Sequence, residues 1–188
     1  MDSQSNDKNS SEESWITEEV RAMIGEVVWS DTGKATLTQI KKFAQSIGDK
    51  NPLYFSEEYA KSGRYGSIVA PPLFDDQFLD YDGREAELEI LESGSRIVQV
   101  GHDIQALEHL RSAFEGEVEY ELFKPIRAGD VIKASRKIID VYEKKGRSGR
   151  MVFIVGETTL KDEQGDTVLI CRSTVIRMPA AEGEGEGE

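Results

Sequence analysis

The chain has 188 residues, 38% of them apolar, and 36 acidic residues against 23 Lys and Arg, for a formal net charge of −13. That length supports one domain with a proper core and is short for two. Six of the acids lie in the first nineteen residues and four in the closing Gly-Glu repeat, so residues 20–181 carry 26 acids against 22 bases; acidity placed this way argues for solubility and against nucleic-acid binding.

The opening residues MDSQSNDKNSSE have no apolar run and none of the early positive charge of a secretory or transit segment. No stretch approaches the eighteen or so apolar residues of a membrane span. The expectation is a soluble, cytoplasmic protein with residues 1–14 disordered, one domain over 15–178, and a disordered acidic tail over 179–188. Ser14 to Ile24 reads as a short helix, and Val27-Val28-Trp29 as a short strand ending at an Asp31-Thr32-Gly33 turn.

Chemistry concentrates between Ala35 and Phe74. Leu37, Ile40, Ala44 and Ile47 recur at steps of three and four with Phe43 beside them, which places an apolar stripe along one face of a helix. Thr36 or Thr38 suits its start, and Gly48 suits its end because a left-handed residue is cheap without a Cβ. A polar loop, Asp49-Lys50-Asn51-Pro52-Leu53-Tyr54, follows. Ser56 with Glu57 and Glu58 then caps a second short helix, and an apolar exit runs through Ile68, Ala70, Pro71, Pro72, Leu73 and Phe74. Residues 75–95 are acidic and loosely patterned, and read as a surface excursion or lid.

From Arg96 onward the period is two. Ile97, Val98 and Val100 precede His102; Val118, Tyr120 and Leu122 alternate with Glu117, Glu119 and Glu121; and the same pattern continues over 131–141, 151–160 and 167–178. Turn chemistry separates these runs at Arg127-Ala128-Gly129-Asp130, at Lys144-Lys145-Gly146-Arg147-Ser148-Gly149 and at 162–166. One early helix followed by four or five antiparallel strands is an α+β layout in which a long sheet wraps one central helix and covers it on one face only. The remedy for the uncovered remainder is association with another copy or subunit.

The single cysteine, Cys171, sits among Val168, Leu169, Ile170 and Val175 and reads as a small core residue. No His, Cys, Asp or Glu cluster has metal-ligand spacing, and GDKNP and GRYGS lack the strand–turn–helix setting of a dinucleotide loop. The only imidazoles are His102 and His109. Either becomes a base for Asp49 if the fold brings it near. Read from residues alone, Asp49 can equally be a turn cap and Asn51-Pro52 a loop stiffener.

The runs FAQSIGDKNPLYFSEEYA, IVAPPLF, FKPIRAGD and YEKKGRSGRMVF, in this order over roughly residues 20–177, together resemble the MaoC-like dehydratase family. Its members adopt the hotdog fold and include (R)-specific enoyl-CoA hydratases. The resemblance implies a single hotdog domain. It also implies a catalytic pair, an aspartate and a histidine five positions apart in D-x-N-P-x-H, that holds and activates water. Here the aspartate position is Asp49, Asn51 and Pro52 are in place, and the histidine position is Tyr54. Imidazole titrates near 6.5 and a phenol near 10, so Tyr54 cannot replace the histidine as a base. Active relatives also carry a His-Gly pair after the second helix whose backbone N–H helps polarise the thioester carbonyl. This chain has Ala70-Pro71-Pro72, and proline has no N–H.

Both departures resemble the N-terminal, hydratase-like (FAS1-like dehydratase) branch, in which a degenerate hotdog pairs with a catalytic one and shapes a pocket for bulky acyl groups. The resemblance therefore implies a subunit of a heteromeric enoyl-CoA hydratase or 3-hydroxyacyl-CoA dehydratase, its partner a hotdog with intact D-x-N-P-x-H, in a dimer or heterotetramer. No cofactor is implied beyond the coenzyme A of the acyl-CoA substrate. Asp49 and Tyr54 occupy the catalytic positions, and Asn51, Pro52, Tyr65, Ile68, Ala70, Pro71 and Phe74 are the expected substrate contacts. Lys144 and Arg147, with Lys145 and Arg150, suit the phosphates of coenzyme A, or else form a solvated hairpin tip. Two alternatives stand beside this reading: a self-sufficient homo-oligomeric hydratase or hotdog thioesterase using Asp49, and an acyl-CoA-binding protein without turnover.

Overall fold

A computed structural model describes residues 14–75, 107, 110, 112–147 and 149–179. In chain order these form α1 (Glu18–Ala22), β1 (Val27–Lys34), α2 (Leu37–Ser46), a 3₁₀ turn (Pro52–Tyr54), α3 (Glu57–Ser62), β2 (Ser112–Leu122), β3 (Val131–Gly146), β4 (Gly149–Lys161) and β5 (Thr167–Met178). The five strands make one antiparallel sheet in the order β1-β3-β4-β5-β2.

Alternation decides which face is covered. Ile132, Ala134 and Ile138 of β3, Val152, Ile154 and Leu160 of β4, and Leu169, Cys171 and Val175 of β5 are buried, and their neighbours in sequence point to the other face, as the pleat requires. α2 lies on the covered face. Ile40, wholly buried, packs with Ala35, Ile132, Ala134, Leu160 and Leu169, with Leu37 and Phe43 flanking it. Thr36 caps the helix through a reciprocal pair: its hydroxyl accepts from the Gln39 N–H and the Gln39 side chain accepts from the Thr36 N–H. A second cluster joins Ile16 and Val20, under α1, to Ile138, Val141, Val152 and Ile154 at the other end of the sheet. Cys171 belongs to the first cluster, and burial pushes its thiol pKa up, as for an inert core residue.

Several sequence expectations change here. Asp31-Thr32-Gly33 is not a turn: β1 runs on to Lys34, with Asp31 opposite Ala134 and Lys34 opposite Val131. Sheet partners on β3 outweigh the local turn preference of Asp and Gly. Lys144 and Lys145 are likewise strand residues, opposite Met151 and Arg150, and the reversal is confined to two residues between the paired Gly146 and Gly149. Gly149, at φ +107°, supplies the left-handed conformation so tight a connection needs. Ile47 does not join the buried stripe. The helix ends at Ser46, and Ile47, as its C-cap, is 54% exposed. The first helix is shorter than Ser14 to Ile24 and starts at a Thr17 cap. Ser14, assigned from sequence to the terminal segment, donates to Glu143 of β3. The 76–95 excursion, the strand at Ile97 to Val100, His102, His109 and most of the two acidic ends lie outside the described residues.

Candidate functional site

The Asp49–Tyr54 loop is built by its own side chains. Gly48, at φ +72°, turns the chain out of α2. The Asp49 N–H donates to the Ala44 carbonyl at 3.0 Å, and the Asp49 carboxylate accepts from the Asn51 N–H at 2.9 Å. The Asn51 side chain accepts in turn from the Leu53 N–H at 3.0 Å, capping a 3₁₀ turn whose first residue is Pro52. These two Asx links shape the loop locally.

Tyr54, 7% exposed, packs against Ala44 and Val69, with Leu53, Phe55 and Tyr65 around it. Burial raises its pKa above the ordinary 10, and the charge of Asp49 and the neighbouring Tyr65 add to the effect. The phenol therefore stays protonated at any physiological pH, a hydrogen-bond donor that is not a base.

Tyr54, Tyr65, Ala70, Pro71 and Phe74 line one cavity of about 380 Å³. Much of its remaining wall was not singled out in the sequence: Leu122 at the end of β2, Phe123, Lys124 and Pro125 just after it, Val168 and Leu169 at the start of β5, and Arg64. The signal available for that wall was the FKPIRAGD run, which carries the resemblance but has no alternation to point its side chains. Asp49 and Pro52 border a different hollow of about 490 Å³ with Gln45, Gly48, Lys50, Phe55 and Ser56, so the loop is a partition with the acid on one side and the phenol on the other. Asn51 is exposed. Ile68 is buried in the α2 core.

Lys144 and Arg147 lie elsewhere. The cavity sits where β5 begins and β2 ends, beside the Lys133↔Lys161 end of the sheet. Lys144 is eleven residues further along β3, about 35 Å at strand rise. There its ammonium lies 5.0 Å from the stacked rings of Tyr142 and Phe153. Arg150 is held over Trp15 and near Glu143.

Backbone donors at the cavity mouth are few. The Ala70 N–H donates to the Ile126 carbonyl at 2.7 Å, tying the exit segment to the β2–β3 connection, while Pro71 and Pro72 have no N–H to offer. Leu73, next in line, is the single non-glycine residue with positive φ among those described, at +67° and 47% exposed on the rim. A left-handed leucine costs roughly 1 kcal/mol or more. The Pro71-Pro72 step leaves the chain little other way to turn.

Lys124 holds the opposite wall. Its ammonium bonds Asp162, at 2.8 Å, and Asp166, both in the β4–β5 turn. The Phe123 and Lys124 N–H groups both reach the Val168 carbonyl. The hydrogen bond from Lys124 lowers the Asp162 pKa, and donating to Asp162 and Asp166 raises that of Lys124. A depressed carboxylate contributes above its unfolded pKa and is lost as pH falls through the folded value; a raised amine is lost only at high pH. The wall should hence loosen on acidification below about pH 4, seen as faster amide exchange at Phe123 and Lys124, and Lys124→Gln should give that faster exchange already at pH 7.

Among the described residues no group of three or more His, Cys, Asp and Glu could hold a metal ion, and no helix is long and apolar enough to cross a membrane.

Comparison with known proteins agrees with this architecture. A protein of Saccharopolyspora erythraea called "UPF0336 protein" is 29% identical over 153 residues, 80% of this chain and 84% of that one. Among solved structures, the ChsH1–ChsH2 complex from Mycobacterium tuberculosis aligns with TM-score 0.69 at 18% identity, over 89% of this chain and 94% of that one. The C-terminally truncated HadBC complex, a 3R-hydroxyacyl-ACP dehydratase from the same organism, aligns with TM-score 0.55 at 22% identity, over 82% and 96%. These likenesses identify a hotdog fold of MaoC-like type. With residues 22–171 matching the FAS1-like, dehydratase domain region, the chain belongs to that family.

Proposed function

We propose that this chain is the non-catalytic subunit of a heteromeric enoyl-CoA hydratase, or 3-hydroxyacyl-CoA dehydratase in the reverse direction, and that it shapes the acyl pocket while a second hotdog supplies the base. One observation carries the reading: the cavity has an acyl-sized, largely apolar wall but, among the described residues, no imidazole, and the residue facing it at the histidine position is a buried phenol held protonated. The two hotdog complexes among the similar structures support a hotdog partner.

Hydration needs three events: a base takes a proton from water, the oxygen bonds the β-carbon, and a proton reaches the α-carbon as the thioester enolate collapses. Tyr54 donates a hydrogen bond at most, the Ala70 N–H is committed to Ile126, and Asp49 faces the other hollow. The partner's imidazole and backbone therefore carry the proton transfers and the oxyanion. This chain orients the acyl group between Phe74, Val69, Phe123 and Leu169 and excludes water from it. A cavity of about 380 Å³ lies in the range of small-ligand sites, and its apolar wall favours a bulky acyl group over crotonyl.

Co-expression with a hotdog subunit that has an intact D-x-N-P-x-H loop, followed by native mass measurement and enoyl-CoA assays, tests the reading. The chain alone is expected to hydrate neither crotonyl-CoA nor longer enoyl-CoAs above background, and the mixed complex to hydrate bulky ones best. Turnover by the purified chain alone, abolished by Asp49→Asn, would replace this reading with the self-sufficient enzyme.

A further inference from the structure

Leu73 stands at a position whose backbone asks for a different residue. Pro72 and Leu73 form a turn between Pro71 and Phe74, and a proline followed by a residue of positive φ is the pattern of a type II turn, whose second central position takes Gly or Asn. A leucine at φ +67° brings its Cβ against the following carbonyl. Every other positive φ among the described residues belongs to a glycine. The chain thus uses the expected residue wherever else it turns left-handed, and departs from it once.

Packing of the domain does not explain that departure. Leu73 is 47% exposed and belongs to none of the three apolar clusters, whereas Ala70 and Phe74 on either side of the turn are buried in the cluster under α2. A side chain left half in water returns little of the backbone cost. An aspartate, serine or asparagine would suit the turn and the solvent better.

The cavity supplies what the core does not. Leu73 lines its rim, and Leu122 and Phe123, 56% and 55% exposed, line it from the opposite wall. The mouth is therefore bordered on two sides by large apolar groups open to water. Deeper wall residues Val69, Ala70, Phe74, Ile126 and Leu169 are all buried. A hydrocarbon ligand filling this space would cover the three rim side chains, and Leu73 would then bury surface that the domain alone leaves exposed. Strained backbone persists at sites where a ligand, and not the fold, uses the residue.

We infer that Leu73 is a specificity-determining lip: the Pro71-Pro72 turn holds its isobutyl group at the mouth, where it closes with Leu122 and Phe123 on the hydrocarbon part of an acyl ligand. The inference rests on the acyl-pocket reading above. It adds the residue that makes the cavity favour apolar acyl chains, and it accounts for a leucine kept where glycine fits the backbone.

The test sets binding against stability in the same variants. Dodecanoyl-CoA is titrated by calorimetry into the full chain and into the complex with the co-expressed hotdog subunit, with free coenzyme A as the control, and each sample is then melted. Leu73→Ala, Leu73→Gly and Leu73→Asn should each bind dodecanoyl-CoA about three- to tenfold more weakly, the worth of covering part of a half-exposed leucine. Leu73→Met, which keeps a long apolar side chain, should bind as the wild type does, and free coenzyme A should not distinguish the variants. Stability should run the other way: Leu73→Gly should melt about 2–4 °C above Leu73→Ala, reversing the usual order of these two residues. Undiminished dodecanoyl-CoA binding by the glycine and asparagine variants would overturn the inference. So would a glycine variant melting below the alanine one, which would show an unstrained leucine, or one that loses the second subunit while its own acyl affinity is intact, which would make Leu73 an interface residue. A wild type that binds no dodecanoyl-CoA in either form would sink the lip and the acyl pocket together. If the variants behave as expected but the mixed complex hydrates no enoyl-CoA, the lip stands and the hydratase reading falls.

Discussion

Phe74→Ala is expected to lower the stability of the domain by about 3–5 kcal/mol, the range for deleting a buried aromatic ring, and hence its melting temperature by roughly 6–20 °C for a domain of this size. Phe74 is 1% exposed, packs edge-on to Phe43 of α2 with ring centroids 5.7 Å apart, and joins the core cluster that α2 makes with β3, β4 and β5. Phe74 also lines the cavity, so the void left by truncation opens into it. Two readouts separate these roles. Thermal or urea unfolding measures the lost packing, for which Phe74→Leu should cost much less. The acyl-length profile of the mixed complex measures the pocket: the alanine variant should shift toward larger acyl groups. A loss under about 1 kcal/mol would show that Phe74 is not the clamp between helix and sheet described above.

The sheet was legible because its signal is redundant. Val131 to Val141, Met151 to Leu160 and Thr167 to Met178 each alternate over ten or more residues, and a one-residue slip would turn every apolar side chain outward. α2 was legible for the same reason, with its Thr36 cap and Gly48 exit marking both ends. What failed was local turn chemistry. Asp31-Thr32-Gly33 and Lys144-Lys145 look like loop by composition, but backbone groups facing a ready partner strand take the ladder bonds on offer. The site divides likewise. The Asp49–Tyr54 loop is held by hydrogen bonds within five residues along the chain, so its sequence largely specifies it, and Tyr54, Tyr65, Pro71 and Phe74 fall together because one continuous segment delivers them. The opposite wall arrives from β2 and β5, residues about 50 to 115 positions later in the chain. Nothing in either run alone shows that register Leu122↔Leu169 will set them across from Tyr54. Lys144 and Arg147 were grouped with the site by charge alone, and strand length takes them to the far end of the sheet.

In the mixed complex, alanine at the partner's D-x-N-P-x-H histidine is expected to cut hydration by about 10²–10⁴, the usual worth of a positioned acid–base group, whereas Tyr54→Phe in this chain should cost no more than about fivefold, the loss of one hydrogen bond. The asymmetry follows from proton affinity. Burial first, and Asp49 second, hold the Tyr54 phenol above its ordinary pKa, so it neither accepts a proton from water near neutral pH nor releases one to carbon. The pH profile of kcat/KM should accordingly show an ionisation in the imidazole range that Tyr54→Phe leaves in place. Tyr54→His in the chain alone extends the test. It restores the residue type but not the site, because Asp49 remains committed to the Asn51 N–H on the other side of the partition and the 70–72 segment still has no spare donor. Activity should stay at background. If Tyr54→His by itself produces a hydratase, the loop needed only an imidazole, and this chain is a lapsed enzyme whose second subunit merely replaces what one substitution removed.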